Sequence, residues 1–218
     1  MTENPIAAGS SSFDLIDPAR LFAALELRTG TALLDVGCGV GLYSLAAAEK
    51  VGMKGTIYAV DLWEEGIATL TREIALRRIG NIHPLVADVS RKIPVADRSI
   101  DVCLMATVLH DFIADGTADG TLREVGRVLK PEGRLAVVEF DKVEGPPGPP
   151  RAIRLSPAEL DAVLVPRGFH LLTTTAVGPY NYLSVYRRGQ NECRESLWDQ
   201  LATVDQSPTP LCARRGEA

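Results

Sequence analysis

Three glycines at every second position, Gly37, Gly39 and Gly41, follow directly on the apolar run Ala32–Val36, which carries one carboxylate, Asp35. A buried strand that ends in a glycine-tight turn and opens into a helix brings backbone N–H groups close to whatever the turn holds. This stretch restricts the chain more than any other. It demands a sheet on one side of the turn, a helix on the other, and a crevice at the strand's carboxyl end.

The pattern on either side agrees. Asp17-Pro18 is a helix start, with a side-chain acceptor at the cap and proline at the first helical position. Leu21, Phe22 and Leu25 give that helix an apolar face, and Thr29-Gly30 is expected to close it. Strands are then expected at Ala32–Val36, Thr56–Val60, His83–Ala87, Ile100–Ala106 and Arg134–Phe140. Between them fall a helix over Leu42–Val51, one bearing Ile67, Leu70 and Ile74, and one marked by Leu122, Val125 and Leu129 and stopped by Lys130-Pro131-Glu132-Gly133. Such alternation implies right-handed crossovers and a mostly parallel sheet covered on both faces.

Later segments differ. Gly145-Pro146-Pro147-Gly148-Pro149-Pro150 reads as a stiff loop. Ser156-Pro157 starts a helix running to about Arg167. His170–Val177 and Asn181–Arg187, joined by Gly178-Pro179-Tyr180, are too close for a crossover and predict an antiparallel hairpin. One domain over 1–188 is expected, with 1–12 as a tail or mobile flap. Residues 189–218 are expected to be a polar tail in which Leu197, Trp198 and Leu201 fit one short helix.

Charge and cysteines narrow the partners. With 23 basic against 28 acidic side chains and no basic stripe, a nucleic-acid partner is not expected. No apolar run reaches the ~20 residues that cross a bilayer. Cys38, Cys103, Cys193 and Cys212 are scattered and form no C-x-x-C pair, so neither a metal site nor a disulfide framework is expected. Met1-Thr2-Glu3-Asn4-Pro5 does not read as a signal peptide, and a reduced cytoplasm is the expected compartment.

Two ligand classes compete for the glycine turn. A dinucleotide site wants G-x-G-x-x-G or A. Gly37 and Gly39 fit, but Leu42 occupies the third position and the third glycine is Gly41. Asp35 would also lie near a pyrophosphate and repel it; a carboxylate there suits a ligand with a positive charge.

Asp35-Val36-Gly37-Cys38-Gly39-Val40-Gly41 resembles the first motif of class I S-adenosylmethionine-dependent methyltransferases. Ala59-Val60-Asp61-Leu62, Val86-Ala87-Asp88-Val89, Ser99-Ile100-Asp101-Val102-Cys103, Val108-Leu109-His110 and the run Leu122–Leu135 resemble further motifs of that family in the same order. The resemblance covers about residues 14–188. It implies an α/β, Rossmann-like, doubly wound fold: a mostly parallel seven-stranded sheet with an antiparallel C-terminal hairpin strand. S-adenosyl-L-methionine is the implied cofactor and S-adenosyl-L-homocysteine the product.

The resemblance assigns cofactor contacts to Asp35, Gly37, Gly39, Gly41, Asp61, Leu62, Asp88, Val89 and Ala106. Asp35 would meet the methionine ammonium, Asp61 the ribose hydroxyls and Asp88 the adenine amino group, while Leu62 and Trp63 would cover the adenine face. His110, just beyond the fourth strand, is the candidate catalytic base, and Asp111 would orient it or begin a loop. His83 and His170, at strand starts, read as structural.

The expected acceptor is a small, partly apolar or aromatic molecule, walled by the segment around Phe13, the proline-rich loop, Tyr180 and Tyr182. Similar families include quinone-ring C-methyltransferases and arsenite methyltransferases; the latter need convergent thiols that these four cysteines do not supply. Monomer and homodimer are both compatible with the sequence. A nicotinamide-dependent oxidoreductase is opposed by Leu42, whereas a catalytically silent nucleotide-binding protein would keep the same contacts.

Overall fold

A computed structural model describes residues 11–189. The expected short helix at Leu197–Leu201, the rest of that tail, Cys193 and Cys212 lie outside these residues. Within the described residues, seven strands form one sheet: β1 (Ala32–Val36), β2 (Thr56–Asp61), β3 (Ile82–Val86), β4 (Ile100–Ala106), β5 (Leu129–Phe140), β6 (Phe169–Ala176) and β7 (Asn181–Arg188). Their order is β3-β2-β1-β4-β5-β7-β6. Strands β1 to β5 run parallel, and β7 inserts antiparallel between β5 and β6. The order reverses between β1 and β4, which puts the crevice of the sheet at the carboxyl ends of those two strands.

Alternate residues of each central strand enter opposite cores. Leu34, Val36, Met105 and Val137 pack with Leu122, Val125 and Leu160 on one face. Leu33, Leu104 and Val138 pack with Leu21, Leu25, Ala47 and Leu70 on the other. The helices that cover the faces are α1 (Pro18–Leu25), α2 (Leu42–Val51), α3 (Glu64–Arg77), α4 (Leu109–Ala114), α5 (Ala118–Val128) and α6 (Pro157–Leu164).

Helix starts follow the expected chemistry. Asp17 Oδ1 accepts the amides of Ala19 and Arg20 at 2.9 and 3.2 Å, with Pro18 at the first position. Ser156 and Glu159 cap α6 reciprocally: the Glu159 amide donates to Ser156 Oγ, and the Ser156 amide to Glu159 Oε2.

Several boundaries depart from the sequence reading. Helix α1 stops at Leu25 because Glu26 takes the left-handed conformation at φ 49°, four residues before Gly30. Leu129 belongs to β5 and not to the helix before it, and Lys130–Gly133 is strand and not loop. The ladder absorbs those residues by a register irregularity between Ile100 and Val102. Helix α4 was not expected, since its six residues are too few to show a period. Ser12, expected within the N-terminal tail, is buried and bonded to the body of the protein, and residues 1–10 of that expected tail lie outside the described residues.

Two devices shape the carboxyl edge. The Asp17 amide donates to Val177 O at 2.5 Å, and Gly178 packs on Leu15 and Ile16, so the N-terminal segment is held against the β6–β7 turn. The proline-rich loop closes around Arg154, whose buried guanidinium donates to the carbonyls of Asp141, Gly145, Pro147 and Pro149.

Candidate functional site

The glycine turn gives each glycine a different task. Gly37 has φ 68°, and a Cβ there would lie 2.7 Å from Val108 Cγ2. Gly41 has φ 77° and faces Leu70 just as closely, so it starts α2 and packs against α3. Gly39, also left-handed, faces open space. The turn's amides are largely committed to protein acceptors. Gly37 N and Cys38 N donate to Val60 O, Gly41 N donates to Cys38 O, and Gly39 N donates to Asp61 Oδ2 at 2.7 Å. A turn whose donors are used this way is poorly equipped to cradle a pyrophosphate.

The turn walls a cavity of roughly 270 Å³ at the switch point. Of the expected cofactor residues, Asp35, Gly37, Gly39, Asp61, Leu62, Asp88, Val89 and Ala106 line it. Gly41 does not, since it sits beneath the turn against Leu70. Trp63 lines it too, its ring folded over Gly66 with Nε1 buried and without a hydrogen-bond partner.

Three carboxylates lie along this wall. Asp35 is 1% exposed, and its Oδ2 accepts the Ser44 hydroxyl at 2.6 Å. Burial pushes its pKa up to about 6, the Ser44 bond holds it down, and the charge of Asp61 adds to the rise. Asp61 joins the turn to α3 by accepting Gly39 N on one oxygen and Trp63 N, at 2.8 Å, on the other. Asp88 accepts the amide and hydroxyl of Ser90 on Oδ1 and meets Arg91 Nε at 3.1 Å on Oδ2. No Lys, Arg or His side chain lines the cavity among the described residues.

The opposite wall comes from the start of the chain and the segment after β4. Ser12 Oγ lies 2.8 Å from the Tyr43 hydroxyl and 3.0 Å from Thr107 Oγ1. Phe13 meets the Tyr43 ring edge-on at 5.0 Å. Thr107 adopts φ 54°, a strained conformation for a β-branched residue, and its amide donates to Val138 O. Val108, Asp111, Phe112 and Asp115 complete this side.

His110 is not on the wall. It is 5% exposed, and its Nδ1 lies 2.7 Å from Oε2 of the fully buried Glu139. Burial lowers its pKa, but the bond and charge of Glu139 outweigh this and the net shift is upward. Tyr180 and Tyr182 do not line the cavity; Tyr182 bonds Leu155 O. His83 stacks on Tyr58 and His170 pairs with Arg187 in the hairpin ladder. Asp101 is far from the crevice, at the start of β4, where it accepts Ala32 N and pairs with Lys130.

A parallel sheet with this switch point, carboxylates at the ends of β1 and β2, and a turn whose Gly37, Cys38, Gly39 and Gly41 amides are bonded within the protein together define the site. The chain belongs to the methyltransferase-domain family, whose model matches residues 27–166. Its fold is that of a "SAM dependent methyltransferase from Aquifex aeolicus", with a TM-score of 0.75 and 29% identity over 81% of this chain and 92% of that one. It is 35% identical over 124 residues to a ubiquinone/menaquinone biosynthesis C-methyltransferase of Paraburkholderia phymatum, covering 57% of this chain and 49% of that protein. It is 30% identical over 148 residues to the nocamycin O-methyltransferase of Saccharothrix syringae, covering 66% and 49% respectively. The chain thus spans about half the length of the curated relatives it matches.

Proposed function

We propose that the protein transfers a methyl group from S-adenosyl-L-methionine to a small-molecule acceptor by in-line displacement, with residues 1–188 forming one methyltransferase domain. The observation that carries this reading is the wall of carboxylates around a glycine turn in which the amides of Gly37, Cys38, Gly39 and Gly41 are already bonded within the protein. It suits a ligand with an ammonium, a sulfonium and vicinal hydroxyls, and it opposes a pyrophosphate. On this reading Asp35 accepts the ammonium and Asp61, with a free lone pair left on each oxygen, accepts the ribose hydroxyls. Asp88, Val89, Leu62 and Trp63 enclose the adenine, and Ala106 leaves room beside the turn. When bound, the sulfonium supplies an activated methyl and a neutral leaving group. The protein aligns the acceptor and excludes water, and alignment alone is worth orders of magnitude in rate.

The relatives' printed names support a small organic acceptor, methylated at carbon in one case and at oxygen in the other. Unpaired thiols at Cys38 and Cys103 agree with a reducing, cytoplasmic setting. Screening small-molecule acceptors with methyl-labelled cofactor tests the reading: label is expected in an organic product, and label released only as methanol would oppose it.

The Asp35 pKa predicts a pH dependence. In the ligand-free fold its pKa of about 6 lies above the ordinary 3.8. The protonated form is therefore favoured in the fold, and stability present below pH 3.8 is lost as pH rises toward 6. The cost at neutral pH is on the order of 3 kcal/mol. Binding a cation needs the ionised form, so cofactor affinity is expected to weaken below pH 6, by up to about tenfold per unit. Calorimetry at pH 5 and pH 7.5 checks this; equal affinities would remove Asp35 from the ammonium site. Ser44→Ala, which takes away the bond holding the pKa down, is expected to move the transition to higher pH.

A further inference from the structure

One cluster of titratable groups lies at the carboxyl ends of β4 and β5, behind the cavity wall that follows β4. Glu139 is a carboxylate in the apolar run Leu135–Phe140 of β5 and is fully buried. It grips His110 twice, through Nδ1 at 2.7 Å and through the backbone amide at 3.2 Å. The other ring nitrogen, Nε2, lies 3.6 Å from Oδ1 of Asp111. Asp111 in turn lines the cavity between Val108 and Phe112. A buried carboxylate thus orients an imidazole, and the imidazole backs a carboxylate that lines the cavity.

We propose that Asp111 is the catalytic proton acceptor, with His110 and Glu139 as its positioning pair, and that the acceptor is an uncharged molecule bearing an acidic X–H group. This rests on the methyl-transfer reading above. In the step, the X–H proton passes to Asp111 Oδ while the X lone pair forms the new bond to the methyl carbon. The C–S bond breaks with its electrons going to sulfur, which leaves a neutral thioether. Asp111 returns its proton to water as product departs.

The surroundings fit the role. Burial raises the Asp111 pKa, His110 lowers it and Asp115 raises it further, which leaves a more basic carboxylate than usual. The charges acting on His110 are Glu139 from β5, Asp111 on its own helix and Arg154 beyond the proline-rich loop, and the two carboxylates outweigh the guanidinium. No cationic side chain lines the cavity among the described residues, so the protein's own side chains offer a preformed anion no partner there.

The test uses phenols of graded acidity as probes, with tritiated methyl donor. Asp111→Asn is expected to lower turnover about 10²–10⁴-fold for phenols un-ionised at the assay pH. For phenols already ionised, which the wild type should turn over poorly beside the charged Asp111, turnover should not fall, since no proton has to be removed, and cofactor binding should persist. Asp111→Glu should restore part of the loss. Glu139→Gln should shift the pH–rate profile and lower the pH at which His110 titrates, read by NMR among only three histidines. Three results would overturn the proposal: wild-type turnover in Asp111→Asn, an equal loss for both classes of phenol, or a wild type that binds cofactor yet methylates none of the series. Failure to bind cofactor would instead overturn the underlying reading.

Discussion

Asp61→Ala is expected to weaken S-adenosylmethionine and S-adenosylhomocysteine binding by two to four orders of magnitude while the chain still folds. Two hydrogen bonds from ribose hydroxyls to a carboxylate are worth about 3–6 kcal/mol together, and each 1.4 kcal/mol is about tenfold. The same carboxylate also accepts Gly39 N and Trp63 N, so its loss releases the glycine turn as well as the ribose. Both amides border the cavity and can turn to water, which limits the loss of stability to about 1–2 kcal/mol. Asp61→Asn separates the two roles, since one amide oxygen can still hold the turn but its NH₂ faces a second donor. Calorimetric titration of both variants checks this. Wild-type affinity in Asp61→Ala would mean that the ribose lies elsewhere.

Arg154→Ala is the substitution expected to cost the most stability away from the cofactor. Its guanidinium is 1% exposed, stacks 5.6 Å above Phe140 and meets four backbone carbonyls. Removing it leaves those acceptors without donors and empties a volume the loop has closed around. The expected loss is on the order of 3–5 kcal/mol. That corresponds to a fall in Tm of roughly 6–20 °C for a chain of this size. Arg154→Lys should recover little, because one ammonium cannot span four carbonyls set in different directions. Scanning calorimetry measures the effect, and a Tm within about 2 °C of wild type would contradict it. Proteolysis within residues 145–150 should accelerate in parallel.

The parts of this protein that were legible in its sequence are those in which local chemistry and global fold agree. The alternation from Ala32 to Phe140 announces a doubly wound sheet because each strand is apolar and each helix periodic. The wall of the cavity is readable because carboxylates at or just beyond strand ends, Asp35, Asp61 and Asp88, stand at fixed places relative to the glycine turn. What was illegible depends on contacts distant in sequence. Leu129 reads as helix by period, yet pairing with Ile100 draws it into β5. Helix α4 is one short turn and a half, visible only once it packs against the sheet. Thr107 carries no mark of its left-handed conformation, which its bonds to Ser12 and Val138 impose.

His110 shows the limit most clearly. Its position after the fourth strand suggests a base, but whether an imidazole faces the cavity or the core is decided by Glu139, 29 residues away. A signal for that partner was present: a single carboxylate in Leu135–Phe140 cannot be buried alone and had to find a donor. Arg154 gave a similar signal from within an apolar, proline-rich neighbourhood. Asp111, beside His110, is the group that reaches the wall.

On the proposed reading the glycine turn and its carboxylates hold a cationic nucleoside and not a dinucleotide. Equilibrium titration of the purified protein with S-adenosylmethionine, S-adenosylhomocysteine, NAD and NADP tests it most directly. Saturable binding of both sulfur nucleosides, with a rise in melting temperature and no response to NAD or NADP, is the predicted result. Binding of NAD or NADP, or no binding of either sulfur nucleoside, would contradict it.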